Sequence, residues 1–252
     1  MKIKKNIAFT LAEVIIVLGI IGTVAELTIP NLVTSFQKQA TVTGYKKVYF
    51  TLTDAVKLSE ANNDSINSWE FPITDVYGAD PQETIKFLKT YIVPYLNIAK
   101  TCELNTGVDC FRNIKSPSGT GYHSWSSYKV NLVKYFLSDG TGIYFGSKST
   151  NACGGLIEVL ADINGLKAPN VMGKDVFSFF IIQNACSPVN RGDGNLSDKV
   201  SIGGVYPDGF NTNGSHYPYR GCGKDVTYGR AGDYCGMKII KDGYEIKDDY
   251  PW

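Results

Sequence analysis

The chain has 252 residues, a formal charge of +1, 16 tyrosines and only two histidines. A near-neutral balance with no basic tract argues against nucleic-acid partners and acidic substrates. No GxSxG, HExxH, P-loop or dinucleotide fingerprint marks an enzyme, and the length allows one core or two.

Residues 1–8 carry Lys2, Lys4 and Lys5 and no acid. Residues 14–25 then hold no charge, and apolar character resumes over residues 27–33. A spanning helix needs about 20 mostly apolar residues, so this stretch qualifies only by taking in Glu26 and Pro30. The lysines predict a cytoplasmic N-terminus with the rest of the chain outside, where disulfides persist. A secretory signal cut after Thr23-Val24-Ala25 is one fate for such a segment, and an uncleaved anchor is another. Neither explains Glu13, since a carboxylate in hydrocarbon is costly unless paired.

The run Ala8-Phe9-Thr10-Leu11-Ala12-Glu13-Val14-Ile15-Ile16-Val17-Leu18-Gly19-Ile20-Ile21-Gly22 resembles the processing and methylation motif of type IV prepilins and type II secretion pseudopilins. Pro30-Asn31-Leu32 falls where that family usually has its helix-kinking proline. Ala8 replaces the family's usual Gly at the cut, and Glu26 stands where the family is normally apolar. The resemblance implies cleavage between Ala8 and Phe9 by prepilin peptidase, N-methylation of Phe9, and retention of the apolar helix. It also implies that Glu13 neutralises the terminal amine of a neighbouring subunit and sets the axial register. In an isolated anchor, Glu13 would instead snorkel to the headgroups.

The implied protein is a structural pseudopilin or minor pilin of a type II secretion or type IV pilus filament, and not an enzyme. Its partners would be copies of itself, related pilin-like subunits, the peptidase, an inner-membrane assembly platform and membrane lipid. Its place would be the inner membrane as a single-pass protein with the head outside, then a filament in the periplasm or beyond the cell. The rival readings are a membrane-anchored receptor or adhesin that never polymerises, and a periplasmic hydrolase with a scattered site.

Tyr45, Tyr49, Leu52 and Val56 continue a helical stripe, which Phe36 and Ala40 extend backwards. Pro30 is expected to kink this helix, and Asn62-Asn63-Asp64 to stop it. One helix over residues 9–61 would measure about 80 Å. Asp80-Pro81-Gln82-Glu83 signals a second helix, with Ile85, Leu88, Ile92 and Leu96 as its stripe and Pro94 kinking or ending it. Residues 132–137 and 141–145 flank Ser138-Asp139-Gly140 as a hairpin. Residues 156–163 and 175–182 read as two further strands. Residues 239–246, around Asp242-Gly243, form a final hairpin or a helix end.

The expected class is α+β: a long N-terminal helix, membrane-spanning in its first half, packed on a small antiparallel β-sheet with a disulfide-stapled C-terminal region. The expected divisions are a leader at 1–8, a membrane or filament-core helix at 9–33, its amphipathic continuation at 34–63 and an extracytoplasmic head at 64–252. Among six cysteines, loop closure favours Cys102–Cys110 and Cys222–Cys235, leaving Cys153–Cys186 by elimination. None lies in a zinc-site pattern.

Asp162, Asn164 and Asp175 space oxygen donors so that they could wrap a calcium ion. The competing reading is a plain turn between strands, and the EF-hand spacing and terminal Glu are missing. Some pseudopilins bind calcium in head loops of this kind. Asp193, Asn195 and Asp198 form a weaker calcium candidate, and Arg191-Gly192-Asp193 an adhesion-like tripeptide that a solvated loop also explains. His123 and His216 read as surface histidines. Trp69, Trp125 and Trp252 would either bind glycans or partners, or pack in a core.

Overall fold

The computed structural model describes residues 10–72, 81–119, 121–127, 129–150, 154–184, 203–209, 220–223, 225 and 229–252. Ala8, Phe9, Cys153, Cys186, the loop with Asp193, Asn195 and Asp198, and His216 lie outside the described residues. The chain divides into two compact units, Met1–Ala40 and Thr41–Trp252.

Helix α1 runs from Leu11 to Asn63 without a break at Pro30. It stops where the asparagines lie. The Asn62 and Asn63 amides donate back to the carbonyls of Leu58 and Ser59, and Asp64 takes a left-handed φ of 59°. Those side-chain bonds add second donors to carbonyls of the last turn, and the left-handed residue turns the chain out of the helix. From Thr41 onward one stripe is buried, through Tyr45, Val48, Leu52 and Val56, at the spacing of a single helical face. The stripe does not extend back to Phe36, which is 62% exposed.

Six strands form one antiparallel meander: β1 (Ile98–Glu103), β2 (Val133–Leu137), β3 (Gly142–Thr150), β4 (Gly154–Asp162), β5 (Val176–Ile182) and β6 (Gly204–Pro207). The β2–β3 turn follows its turn chemistry. Gly140 takes φ 91°, and Asp139 accepts the Thr141 N–H, as an Asx-type turn does. Edge strand β1 pairs with β2 through two register shifts and carries Lys100, both features that blunt an exposed sheet edge.

Period-two alternation sends Tyr135, Phe145, Val159, Phe177 and Phe179 to one face, into a cluster with the α1 stripe. The Tyr45 ring lies 4.9 Å from Phe177 and stacks at 5.5 Å on Phe179. Helices α2 (Pro81–Tyr91) and α3 (Cys235–Lys241) add Ile85, Phe87, Leu88 and Ile239 to the same cluster. The opposite face is covered too. Phe136, Tyr144, Leu160 and Val176 pack with Phe111, Ile114 and Trp125 of a long connection, and Leu156, Phe180 and Ile182 form a smaller patch. Burial on both faces explains why β2 and β5 are buried at every position. The architecture is α+β, with the helix on a small antiparallel sheet and disulfides at Cys102–Cys110 and Cys222–Cys235.

Gly155 lets the chain before α2 approach β4, because a Cβ there would sit 1.8 Å from the Phe71 Cβ. Gly155→Ala should therefore cost about 1–3 kcal/mol, read as a lower urea midpoint with unchanged slope. An unshifted midpoint would mean that Phe71 is not locked against the strand.

Candidate functional site

Helix α1 opens on Thr10-Leu11-Ala12-Glu13. The Thr10 N–H and hydroxyl both donate to Glu13 Oε2 at 2.8 Å, and the Glu13 N–H donates to the Thr10 hydroxyl at 3.2 Å. This reciprocal pair is a capping box, with the acid placed where the helix dipole favours negative charge. Glu13 thus has a partner in its own helix, which the sequence reading had sought only in a neighbouring chain.

Beyond it the helix is predominantly apolar and, before Lys38, carries charge only at Glu26. Leu11, Ile16, Leu27 and Leu32 are all more than half exposed, and α1 is long and apolar enough to cross a membrane. The polar side chains of this stretch bond back to their own helix. Thr23, Thr28, Asn31 and Thr34 donate to the carbonyls of Ile20, Val24, Leu27 and Pro30. A helix in hydrocarbon must satisfy its polar groups internally in this way.

The residues proposed as cation ligands do come together. Asp175 accepts the backbone N–H groups of Asn170 and Val171 and the side-chain amide of Asn164. Asp162 accepts the Asn164 N–H at 3.3 Å. Burial, reinforced by the neighbouring Asp175 charge, pushes Asp162 well above the usual carboxylate range. Burial also raises Asp175, against the pull of its N–H donors. The two acids and the Asn164 carbonyl are hard oxygen donors of the kind calcium takes. Yet both Asp175 oxygens already close the β4–β5 turn. Among the described residues no group of three or more His, Cys, Asp or Glu is gathered as a metal-ligand set.

A larger polar site escaped the sequence reading. On the face of the sheet away from α1, Glu158 of β4 meets Asp208, Arg220, Asp233 and His123, each at most 1% exposed, together with Arg230. Arg220 Nη1 donates to both Asp208 oxygens at 3.1 and 2.8 Å. Arg230 donates to Asp233 at 2.6 Å and to Glu158 at 2.8 Å, and its guanidinium lies 5.3 Å from the Trp125 ring centroid. Burial alone would raise Asp233, but Arg230, His123 and Arg220 hold it far below the usual range. Burial outweighs Arg220 at Asp208 and raises that group. Removing one member of such a cluster strands the others, at a typical cost of about 3–5 kcal/mol. On the same face, buried Lys134 donates to the Leu132 and Glu103 carbonyls, and burial lowers its amine to about 8.

His123 is therefore not a surface histidine. Its Nδ1 accepts the Trp125 N–H at 3.3 Å, which leaves the ring proton on Nε2, 3.1 Å from Asp233. Nδ1 is thus hydrogen-bonded, Nε2 lies at ion-pair distance from Asp233 without a hydrogen bond's geometry, and the ring is sealed from solvent. Trp69 and Trp125 are core residues at 2% exposure, not exposed binding aromatics. The spacing of the charged partners, up to 75 residues from Glu158 to Asp233, explains why no local motif announced them.

A family model described as Family of unknown function (DUF6613) matches residues 31–252, and the chain belongs to that family. No curated protein and no solved structure matches the chain. The matched span begins after residues 8–22, which carry most of the resemblance to prepilins, and takes in Asn31 and Leu32.

Asp175→Asn, which sets an amide against N–H donors, should cost about 2–3 kcal/mol by urea denaturation, as expected for hydrogen bonds to a charged group. If the acids serve only the turn, calcium and chelator leave the wild-type melting temperature unmoved. A calcium-dependent rise that Asp175→Asn abolishes would make them ligands.

Proposed function

We propose that this chain is a pilin-like structural subunit, a pseudopilin or minor pilin. Its apolar helix stays attached after leader removal and packs with copies of itself or related subunits in a filament of the type II secretion or type IV pilus kind. The observation that carries the reading is an acid in the first turn of a helix that, Glu26 aside, carries no further charge up to Lys38. A lone anchor uses that acid only as a cap through Thr10. A filament has two uses for it: capping its own helix through Thr10, and offering a carboxylate to the terminal amine that cleavage before Phe9 would create on the next subunit.

The partners of this proposal are a prepilin peptidase, an inner-membrane platform, lipid, and further subunits. The work is mechanical rather than catalytic, with the head carried outside the membrane on its own helix.

Glu13→Gln separates the two uses, because glutamine serves a capping box as well as glutamate does but carries no charge. Filament incorporation should fall about tenfold or more for loss of a pair worth ~1.4 kcal/mol, while membrane insertion and helix content persist. Incorporation kept by Glu13→Gln but lost by Glu13→Ala would reduce Glu13 to a cap. Indifference to both changes would favour a non-polymerising anchored receptor.

A further inference from the structure

We propose that the Cys222–Cys235 disulfide and the buried ion cluster form one coupled latch, so that the layer over the outer face of the sheet closes fully only on the oxidised chain. The bridge spans 13 residues. Arg220 stands two residues before one cysteine and Asp233 two before the other. Backbone bonds lace the two stems, from the Gly232 N–H to the Gly221 carbonyl at 3.0 Å and from the Tyr234 N–H to the Arg220 carbonyl at 3.2 Å. The covalent closure thus delivers a cation and an anion together, with Arg220 Nη1 3.6 Å from Asp233 Oδ2.

The receiving surface is acidic. Glu158 is fixed on β4, and Asp208, whose N–H donates to the Ser178 carbonyl of β5, lies beside it. Both are fully buried, so the outer layer cannot close without bringing cations with it. Arg220 satisfies both Asp208 oxygens, and Arg230 serves Glu158 and Asp233.

The coupling runs the other way as well. Cys235 is fully buried, and Gly173 approaches so closely that a Cβ there would lie 2.6 Å from the Cys235 sulfur. Cys222 is only half-buried, so a reducing thiol enters at that sulfur, and opening the bridge there frees the stem that holds Arg220 among the acids. Closure is an ordinary exchange. The Cys222 and Cys235 thiols pass two electrons and two protons to a low-molecular-weight organic disulfide, which leaves as two thiols. Linkage requires that the factor by which the cluster favours the bridge equals the factor by which the bridge favours the cluster.

The test equilibrates the full chain in detergent with reduced and oxidised glutathione. Each bridge is counted by alkylation and peptide mass in the wild type and in Arg220→Met. The latch predicts that the oxidation constant of Cys222–Cys235 falls about tenfold or more in the variant. Cys102–Cys110, which packs with Phe111 and Leu132 instead, should not change. A Cys222→Ser/Cys235→Ser chain should show faster exchange of the Gly232 and Tyr234 amides by a similar factor. Equal Cys222–Cys235 constants in the wild type and Arg220→Met would overturn the coupling. Should Arg220→Met shift both bridges through general unfolding, Asp208→Asn replaces it and the same comparison decides.

Discussion

One helix carries two kinds of surface, and the packing of the molecule divides with it. Residues of α1 before Thr41 expose leucine, isoleucine, valine and phenylalanine on all sides, a surface that water penalises by about 25 cal/mol per Å² of apolar area left uncovered. Residues from Thr41 to Ser59 instead bury one stripe against the sheet. The change is written in the side chains. A mostly apolar run gives way to the spacing of Tyr45, Leu52 and Val56, with Lys47, Asp54 and Lys57 on the opposite side. The apolar part must be covered by lipid or protein, and its threonines and Asn31 already turn their polar atoms inward to the helix backbone.

The sheet faces a different difficulty. Its inner side is filled by aromatic and aliphatic residues of α1, α2 and α3. Its outer side is covered by loops rather than helices, and loops bring polar backbone and few large side chains. The chain answers with two apolar patches around a buried group of three acids, two arginines and a histidine. Such a group adds little net stability over an apolar filling, but it accepts only one arrangement of its partners. Cys102–Cys110 fastens the outer region beside Phe111, whereas Cys222–Cys235 sits in the inner cluster and its stems carry Arg220 and Asp233 to the outer side.

What could be read from the sequence depended on how local each signal was. Strands β2 to β5 were legible because β-branched and aromatic runs and the Ser138-Asp139-Gly140 turn are short-range features. The end of α1 was marked by its asparagines. β1 was missed because Ile-Ala-Lys-Thr-Cys-Glu is a polar edge segment with bulges, and β6 because Gly-Val-Tyr-Pro is too short to show a period. Residues 239–246 left helix and hairpin open, and the helix there begins earlier, at Cys235. Thr10-x-x-Glu13 was visible as a capping box but was overshadowed by the pilin-like motif containing it. His123 looked superficial among polar neighbours, and only the fold, by joining positions 123, 158, 208, 220, 230 and 233, shows it buried.

The intact mass of the protein isolated from its native membrane tests the central claim most directly. A filament subunit retains its apolar helix, so the mature chain should begin at Phe9 and carry one added methyl group on that residue. A mature chain beginning at Glu26 would contradict the account, since the helix proposed to join subunit to subunit would no longer be part of the protein.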